Sequence, residues 1–119
     1  MPNGTQYENE FERRLWDDGW ATFRVAGSDT VDHASCDIIA VKGDRVVAIE
    51  VKSLNKKTFP YNVSKDSDQL DIIRRRGDIE TYFAVRRKGV TRAKWVIYPG
   101  TSTMLVDDEN VWHFPYKVF

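Results

Sequence analysis

Apolar side chains recur along the chain with two spacings, which separate predicted helices from predicted strands. In residues 5–19 and 67–77 they lie three or four positions apart, the period of an amphipathic helix. Gly19 and Gly77 are suitable helix ends, and Ser67 is a suitable N-cap. Five segments rich in β-branched or aromatic residues predict strands: 20–25, 37–42, 45–52, 81–87 and 93–99. This order of elements predicts an α/β fold, a mixed central β-sheet flanked by helices.

Two of the predicted strands are joined at 43–44 by Gly-Asp, a dipeptide typical of a tight hairpin. If these two residues form the whole turn, counting outward places Asp37 opposite Glu50, with the two side chains on one face. Glu50 and Lys52 share that face because side chains alternate along a strand. The hairpin is therefore predicted to bring an aspartate, a glutamate and a lysine together at one end of an otherwise apolar surface.

Two carboxylates that face each other on a mostly buried sheet repel, so a compensating cation is expected. Mg²⁺ binds carboxylate oxygens, water and phosphate, and a lysine beside it can contact a phosphate or orient a hydrolytic water. Glu8 would join this site if Phe11 and Leu15 pack on the sheet, because the three form one helical stripe; Glu12 is the competing candidate. The alternative to a metal site is a solvated pair of charges at a strand edge.

Composition narrows the classes of protein that fit. The 119 residues suit one domain, 1–119, and 41 % are hydrophobic, enough for a core. The single cysteine, Cys36, excludes an intramolecular disulfide framework and suits a reducing compartment. No apolar run reaches the length of a membrane span and the polar N-terminus has no secretory pattern. We therefore expect a cytoplasmic protein without a membrane partner.

The charge balance neither requires nor excludes a nucleic-acid partner. Net charge is zero, from 18 basic and 18 acidic residues, which gives no general attraction to polyanions. Basic residues nevertheless cluster locally, and Lys56 and Lys57 lie near Phe59 and Tyr61 on the loop after the second hairpin strand. A basic loop with interleaved aromatics suits contact with nucleic acid, and an exposed mobile loop is the equal alternative.

Short motifs also occur in a fixed order along nearly the whole chain. Glu8 follows Gly4 by four positions, and after it come FERRL at 11–15, GW at 19–20, RVAGS at 24–28, DIIA at 37–40, IEVKS at 49–53 and DQL at 68–70. This ordered set resembles the PD-(D/E)xK nuclease superfamily, and within it the archaeal-type Holliday junction resolvases, the Hjc family.

The resemblance implies a restriction-endonuclease-like fold and a Mg²⁺-dependent endodeoxyribonuclease, with Mn²⁺ as a substitute, that serves DNA recombination and repair. It implies a homodimer whose two sites nick opposed strands of a four-way junction, in keeping with the two-fold symmetry of both partners. Two alternatives remain. One is a repair or restriction-type nuclease of the same superfamily that acts on flaps or duplex DNA, and the other is a non-catalytic DNA-binding module on the same fold.

The resemblance also implies roles for individual residues. Asp37, Glu50 and the Val51 carbonyl are expected to bind the catalytic metal, and Glu8 to complete the acidic cluster directly or through water. Lys52 is expected to position or activate the attacking water and to stabilise charge at phosphorus.

Further positions are implied to contact DNA or a second subunit. Arg24 and the catalytic candidate Ser28 lie on or beside a loop expected near the scissile phosphate. Asn9 stands where the family often has arginine, and Arg13 or Arg14 is the candidate to replace that phosphate contact. The basic loop adds Lys56 and Lys57. The dimer interface is implied to include Leu70, Ile72 and Ile73, for which packing in the core is the competing account.

Overall fold

The computed structural model describes residues 4–25, 33–89, 95–106 and 112–114. Within these residues the chain forms two α-helices, eight strands and a 3₁₀ turn at Lys56–Thr58. The elements are α1 (Gly4–Asp17), β1 (Ala21–Arg24), β2 (Ile38–Lys42), β3 (Arg45–Leu54), β4 (Tyr61–Asn62), α2 (Ser64–Gly77), β5 (Glu80–Arg87), β6 (Trp95–Pro99), β7 (Met104–Leu105) and β8 (Trp112–Phe114). Among the described residues, neither helix is long and apolar enough to cross a bilayer.

Six of the described strands form one mixed sheet in the order β1-β2-β3-β5-β6-β8, and β4 pairs with β7 in a separate ribbon. The β3–β5 pair is parallel and the other pairs of the large sheet are antiparallel. A parallel pair needs a long crossover, and α2 provides it between β3 and β5. The prediction of a mixed sheet with helices is confirmed.

The hairpin between β2 and β3 has the predicted two-residue turn. Lys42 pairs with Arg45, and the pairs continue through Ile39 and Ala48. Gly43 has φ 62°, a left-handed conformation that glycine adopts without steric cost. Because the turn is that short, the register predicted by counting outward is confirmed for every pair along β2.

Helix α2 begins one turn earlier than predicted, so the assignment of Ser67 as N-cap is wrong. Ser67 is buried in the first turn, where its hydroxyl donates to the Gly100 carbonyl at 2.8 Å. The helix begins instead at Ser64, whose N–H donates to the Asn62 side chain at 2.8 Å. It ends at Gly77 as predicted, and the next residue, Asp78, takes the left-handed conformation with φ 52°.

The two helices cover opposite faces of the sheet, each over its own core. On one face the buried stripe of α1 packs with strand residues, and the Phe11 ring lies 4.8 Å from the Trp95 ring. On the other face Leu70 of α2 lies in a core that also contains Ala48 and Phe83. Along β3, residues therefore alternate between the α1 face and the α2 face.

Candidate active site

Asp37 is the residue immediately before β2, and hydrogen bonds hold it against β3. Its N–H donates to the Ile49 carbonyl at 3.1 Å. Its carboxylate reaches further along the strand, since Oδ2 accepts the Val51 N–H at 2.9 Å. The paired residues of the ladder end at Ile38 and Ile49. Asp37 therefore bonds to the backbone on either side of Glu50, rather than standing opposite Glu50 as a regular ladder pair.

Glu50 and Lys52 project from the same face of β3, as the alternation of a strand predicts. Lys52 Nζ lies 3.9 Å from Glu50 Oε2, and only 13 % of the Glu50 side chain is exposed. A closer acid comes from α2, because Asp66 Oδ2 lies 2.9 Å from the same ammonium. We call Glu50, Lys52 and Asp66 the Lys52 cluster.

Sequence reasoning missed Asp66. Because the helix was predicted to begin at Ser67, Asp66 fell in the loop before it. The structure places Asp66 in the first turn of α2, where an acid is usually explained by the partial positive charge of the helix N-terminus. Which strand that turn faces depends on how α2 packs, and no spacing in the sequence specifies it.

The surroundings of Lys52 keep its side chain protonated. Burial is the largest influence and acts to lower the Lys52 pKa, but the hydrogen bond to Asp66 and the charges of Asp66 and Glu50 outweigh it. The pKa is therefore raised above the ordinary lysine value. A protonated lysine donates hydrogen bonds and cannot accept a proton from water. Lys52 is therefore suited to stabilising negative charge on a phosphate rather than to acting as a general base.

The pKa of the buried Cys36 thiol is raised in part by the negative charges beside β3. Burial raises the pKa of Cys36 to about 12, and the charge of Glu50, followed by that of Asp37, acts in the same direction. The thiol also donates to the Ile38 carbonyl at 3.6 Å. Two carboxylates thus act on one small region beside β3, and a cation there would relieve their repulsion.

Glu8 and Glu12 meet at Arg24, in a second charged group on the α1 side. Arg24 Nη2 donates to Glu8 Oε2 at 2.8 Å and Nη1 donates to Asn9 Oδ1 at 2.6 Å. Arg24 Nε lies 3.4 Å from Glu12 Oε1, and the other oxygen of Glu12 accepts the Thr22 hydroxyl at 2.7 Å. We call Glu8, Asn9, Glu12 and Arg24 the Arg24 cluster.

Glu8, the predicted third acid of the metal site, is therefore paired with Arg24. Phe11 and Leu15 are fully buried against the sheet as predicted, and the Glu8 side chain borders that stripe at 20 % exposure. In the described parts of the chain, no three His, Cys, Asp or Glu side chains come close enough together to hold a metal ion. A backbone hydrogen bond nevertheless connects the segments that carry Arg24 and Asp37, because the N–H of Val25 donates to the Asp37 carbonyl at 2.9 Å.

The donors beside β3 fit a hard divalent cation. Asp37 and Glu50 would supply carboxylate oxygens and Val51 a backbone carbonyl, which are the oxygen ligands that Mg²⁺ prefers. Mg²⁺ sites commonly use one or two carboxylates and complete the coordination with water and substrate phosphate. A site with two carboxylates therefore suffices chemically, with the Lys52 ammonium beside it.

The predicted DNA-contacting residues occupy different surroundings. Ser28 lies outside the described residues. Arg13 is exposed on α1, and Lys56 and Lys57 are exposed on the 3₁₀ turn after β3. That turn leads to Tyr61 of β4, whose ring centre lies 6.0 Å from the Lys52 ammonium. The basic loop thus adjoins the Lys52 cluster.

The three interface candidates on α2 differ in exposure. Leu70 is fully buried in the core under α2, so it has no surface to offer a second subunit, and packing explains it. Ile73 is partly buried against the same core, whereas Ile72 is 48 % exposed. Phe23 of β1, which the sequence analysis did not single out, is 59 % exposed and pairs with Ile39 on the α2 face.

Comparisons with known proteins agree with this fold. A model of the family described as archaeal Holliday junction resolvase (Hjc) matches residues 2–111. A protein named crossover junction endodeoxyribonuclease Hjc, from Archaeoglobus fulgidus, is 36 % identical over 97 residues, which cover 81 % of this chain and 68 % of that protein.

A solved structure of Archaeoglobus fulgidus Hjc, described as a Holliday junction resolvase from an archaeal hyperthermophile, superposes with a TM-score of 0.74. It is 28 % identical to this chain, and the match covers 86 % of this chain and 85 % of that one. The predicted fold class is confirmed by this similarity together with the mixed sheet.

Proposed function

The chain belongs to the archaeal Holliday junction resolvase family, and we propose that it resolves four-way DNA junctions by paired symmetric nicks. The membership confirms two predictions made from the sequence, the family and the class of enzyme, an endodeoxyribonuclease. Family membership does not specify the substrate, the metal, the assembly or the roles of single residues, and these are our proposals.

The observation that carries the proposal is the grouping of Asp37, Glu50 and a protonated Lys52 at one end of β3. Phosphodiester hydrolysis places extra negative charge on the phosphate oxygens in the transition state. An ammonium held near that charge stabilises it without having to move during the reaction. Asp37 is suitably rigid for a ligand, because the Val51 N–H fixes its carboxylate.

Mg²⁺, with Mn²⁺ as a substitute, would be held by the carboxylates of Asp37 and Glu50 and by the Val51 carbonyl. When bound, it would lower the pKa of a coordinated water and withdraw charge from the phosphate. Lys52 would contact the phosphate from the α2 side. Glu8 would contribute through water from the Arg24 cluster. Arg24 ends β1, and the N–H of the next residue, Val25, donates to the Asp37 carbonyl.

DNA would approach across the basic positions near this end of the sheet. Arg24, Arg13 and Ser28 would contact the backbone near the scissile phosphate, and Lys56 and Lys57 would contact it from the loop after β3. Arginine and lysine contacts to phosphate position the duplex without reading its sequence. Recognition of the branch would then depend on where two such sites lie relative to each other.

The junction test compares a synthetic immobile four-way junction with a flap and a linear duplex, in Mg²⁺ and in EDTA. Paired nicks in the junction are expected only with Mg²⁺. Asp37→Asn and Glu50→Gln remove the charge at nearly constant shape, and are expected to lower the rate by roughly a thousandfold while junction binding survives. Asp44→Asn, in the exposed hairpin turn, is the matched control.

Cleavage at the wild-type rate by both site variants would contradict the assignment of these carboxylates. Equal cleavage of flap or linear duplex would favour the broader nuclease considered from the sequence. Retained junction binding without any Mg²⁺-dependent cleavage would favour the non-catalytic module.

The homodimer is proposed to form through the α2 face. Ile72 is 48 % exposed and Phe23 is 59 % exposed, and Ile73 lies partly buried on the same side. A second subunit would bury these apolar side chains, and aromatic residues are enriched at protein–protein interfaces. Sedimentation equilibrium is expected to give twice the chain mass of 13.8 kDa, and Ile72→Asp is expected to shift it toward the monomer. A wild-type monomer that makes paired cuts would contradict the proposal.

A further inference from the structure

The Lys52 ammonium is held more closely by a residue from another element than by its neighbour on the same strand. Asp66 Oδ2 lies 2.9 Å from Nζ, a hydrogen-bonding distance, and Glu50 Oε2 lies 3.9 Å away. The Lys52 side chain is 22 % exposed and that of Asp66 30 %, so water screens their contact only in part. The direction in which Lys52 points is therefore set mainly by α2.

The turn that carries Asp66 is fixed to the rest of the fold by buried contacts. The hydroxyl of Ser67, the next residue, donates to the Gly100 carbonyl at 2.8 Å. The N–H of Val63 donates to the Thr103 carbonyl at 2.9 Å, which ties the start of α2 to the segment before β7. A side chain at Gly100 would collide with Thr81 of β5, so the close approach of this segment requires glycine.

Asp66 could have a purely structural role at the start of α2, which must be distinguished from an effect on Lys52. An acid in the first turn of a helix stabilises the helix N-terminus whatever else it contacts. Such a role would affect stability and would not depend on Lys52. Asp68 offers the comparison, because it lies two residues later on the same helix and is exposed.

We propose that Asp66 is a positioning residue for the nuclease reaction, which holds the Lys52 ammonium toward α2 and away from Glu50. This inference rests on the proposed function. Without Asp66, Glu50 is the nearest acid to Lys52 in this cluster, and the ammonium would move toward it. A closer ammonium would compete with a divalent cation for the same carboxylate and would no longer point at the phosphate.

The experiment compares Asp66→Asn, Asp66→Glu and the control Asp68→Asn with the wild-type protein in single-turnover cleavage of an immobile junction. Asp66→Asn is expected to cut about tenfold more slowly, because a charge-assisted hydrogen bond is lost, while junction affinity in EDTA is unchanged. Asp66→Glu restores the carboxylate and is expected to recover part of the rate. Thermal unfolding of each variant reports a purely structural effect.

Two further measurements connect the loss to Lys52 and Glu50. In a Lys52→Ala background, Asp66→Asn is expected to cause no additional loss of rate, because the group it positions is gone. Calorimetric titration of the DNA-free protein with Mn²⁺ is expected to show affinity about threefold weaker in Asp66→Asn than in Asp68→Asn, through competition at Glu50.

The outcomes separate failure of the inference from failure of the proposed function. If the wild-type protein cuts and Lys52→Ala does not, but Asp66→Asn behaves like Asp68→Asn, the inference is wrong and the nuclease site stands. Losses that add in the double variant would also overturn it, since Asp66 would then act independently of Lys52. If the wild-type protein cuts no junction, the proposed function is wrong and this inference with it.

Discussion

In the Arg24 cluster, one guanidinium meets acceptors from successive turns of a single helix, whereas in the Lys52 cluster one ammonium meets acids from a strand and from another helix. Glu8 and Glu12 are four residues apart on α1, so helix geometry alone brings them together. Asp66 lies 14 residues after Lys52 in the sequence, and only the packing of α2 on the sheet brings them together.

The Arg24 guanidinium and the Lys52 ammonium also differ in how many partners orient them. A planar guanidinium with five N–H donors is oriented by several acceptors at once, and losing one leaves the others. An ammonium is a compact charge that moves toward the nearest acid. The Lys52 side chain is 22 % exposed against 32 % for Arg24, whereas the acids of the two clusters are similarly exposed, 13 % and 30 % for Glu50 and Asp66 against 20 % and 18 % for Glu8 and Glu12. Loss of one partner should therefore disturb the Lys52 cluster more.

The largest effect is expected from Lys52→Ala. If the Lys52 cluster serves the chemical step, the cleavage rate should fall by roughly a thousandfold, as when one preorganised donor to a transition state is lost. Junction affinity should change little. Single-turnover cleavage and a binding titration in EDTA measure the two quantities separately. Lys88→Ala, which removes an exposed lysine after β5, is the matched control.

A smaller effect is expected from Arg24→Ala, and mainly on binding. A lost phosphate contact should weaken junction affinity several-fold and lower the slope of log affinity against log salt by about one. Glu8 and Glu12 would also face the DNA without their cation, which adds repulsion. Salt titrations of binding measure the slope, and Arg75→Ala, at a side chain 73 % exposed on α2, is the control. Unchanged affinity with abolished cleavage would instead place both clusters in the chemical step.

The parts of the fold that depend on neighbouring residues could be predicted from the sequence. The β2–β3 register followed from a two-residue turn, because such a turn leaves no freedom in the pairing. The buried stripe of α1 followed from the helical period. By the same reasoning Glu50 and Lys52 were expected on one face, and they lie 3.9 Å apart at their charged atoms.

The parts that depend on packing between distant segments could not be predicted. Serine is a residue type that favours the N-cap position, yet the Ser67 hydroxyl donates its hydrogen bond to the carbonyl of Gly100, 33 residues later. Leu70 belongs to an apolar helix face that could equally have met a second subunit, and only the fold shows it buried. Glu8 and Glu12 were weighed as rivals for one site, although a single arginine binds both.

The chemistry of Cys36 has a practical consequence. It is the single cysteine of the chain, 3 % exposed, and its pKa of about 12 leaves almost no thiolate at neutral pH. Maleimide dyes react with thiolates, so they should attach to a cysteine introduced on the surface and leave Cys36 unlabelled. The protein can thus carry a fluorophore at a chosen position without a cysteine-free background, and its encounter with branched DNA can be followed one molecule at a time.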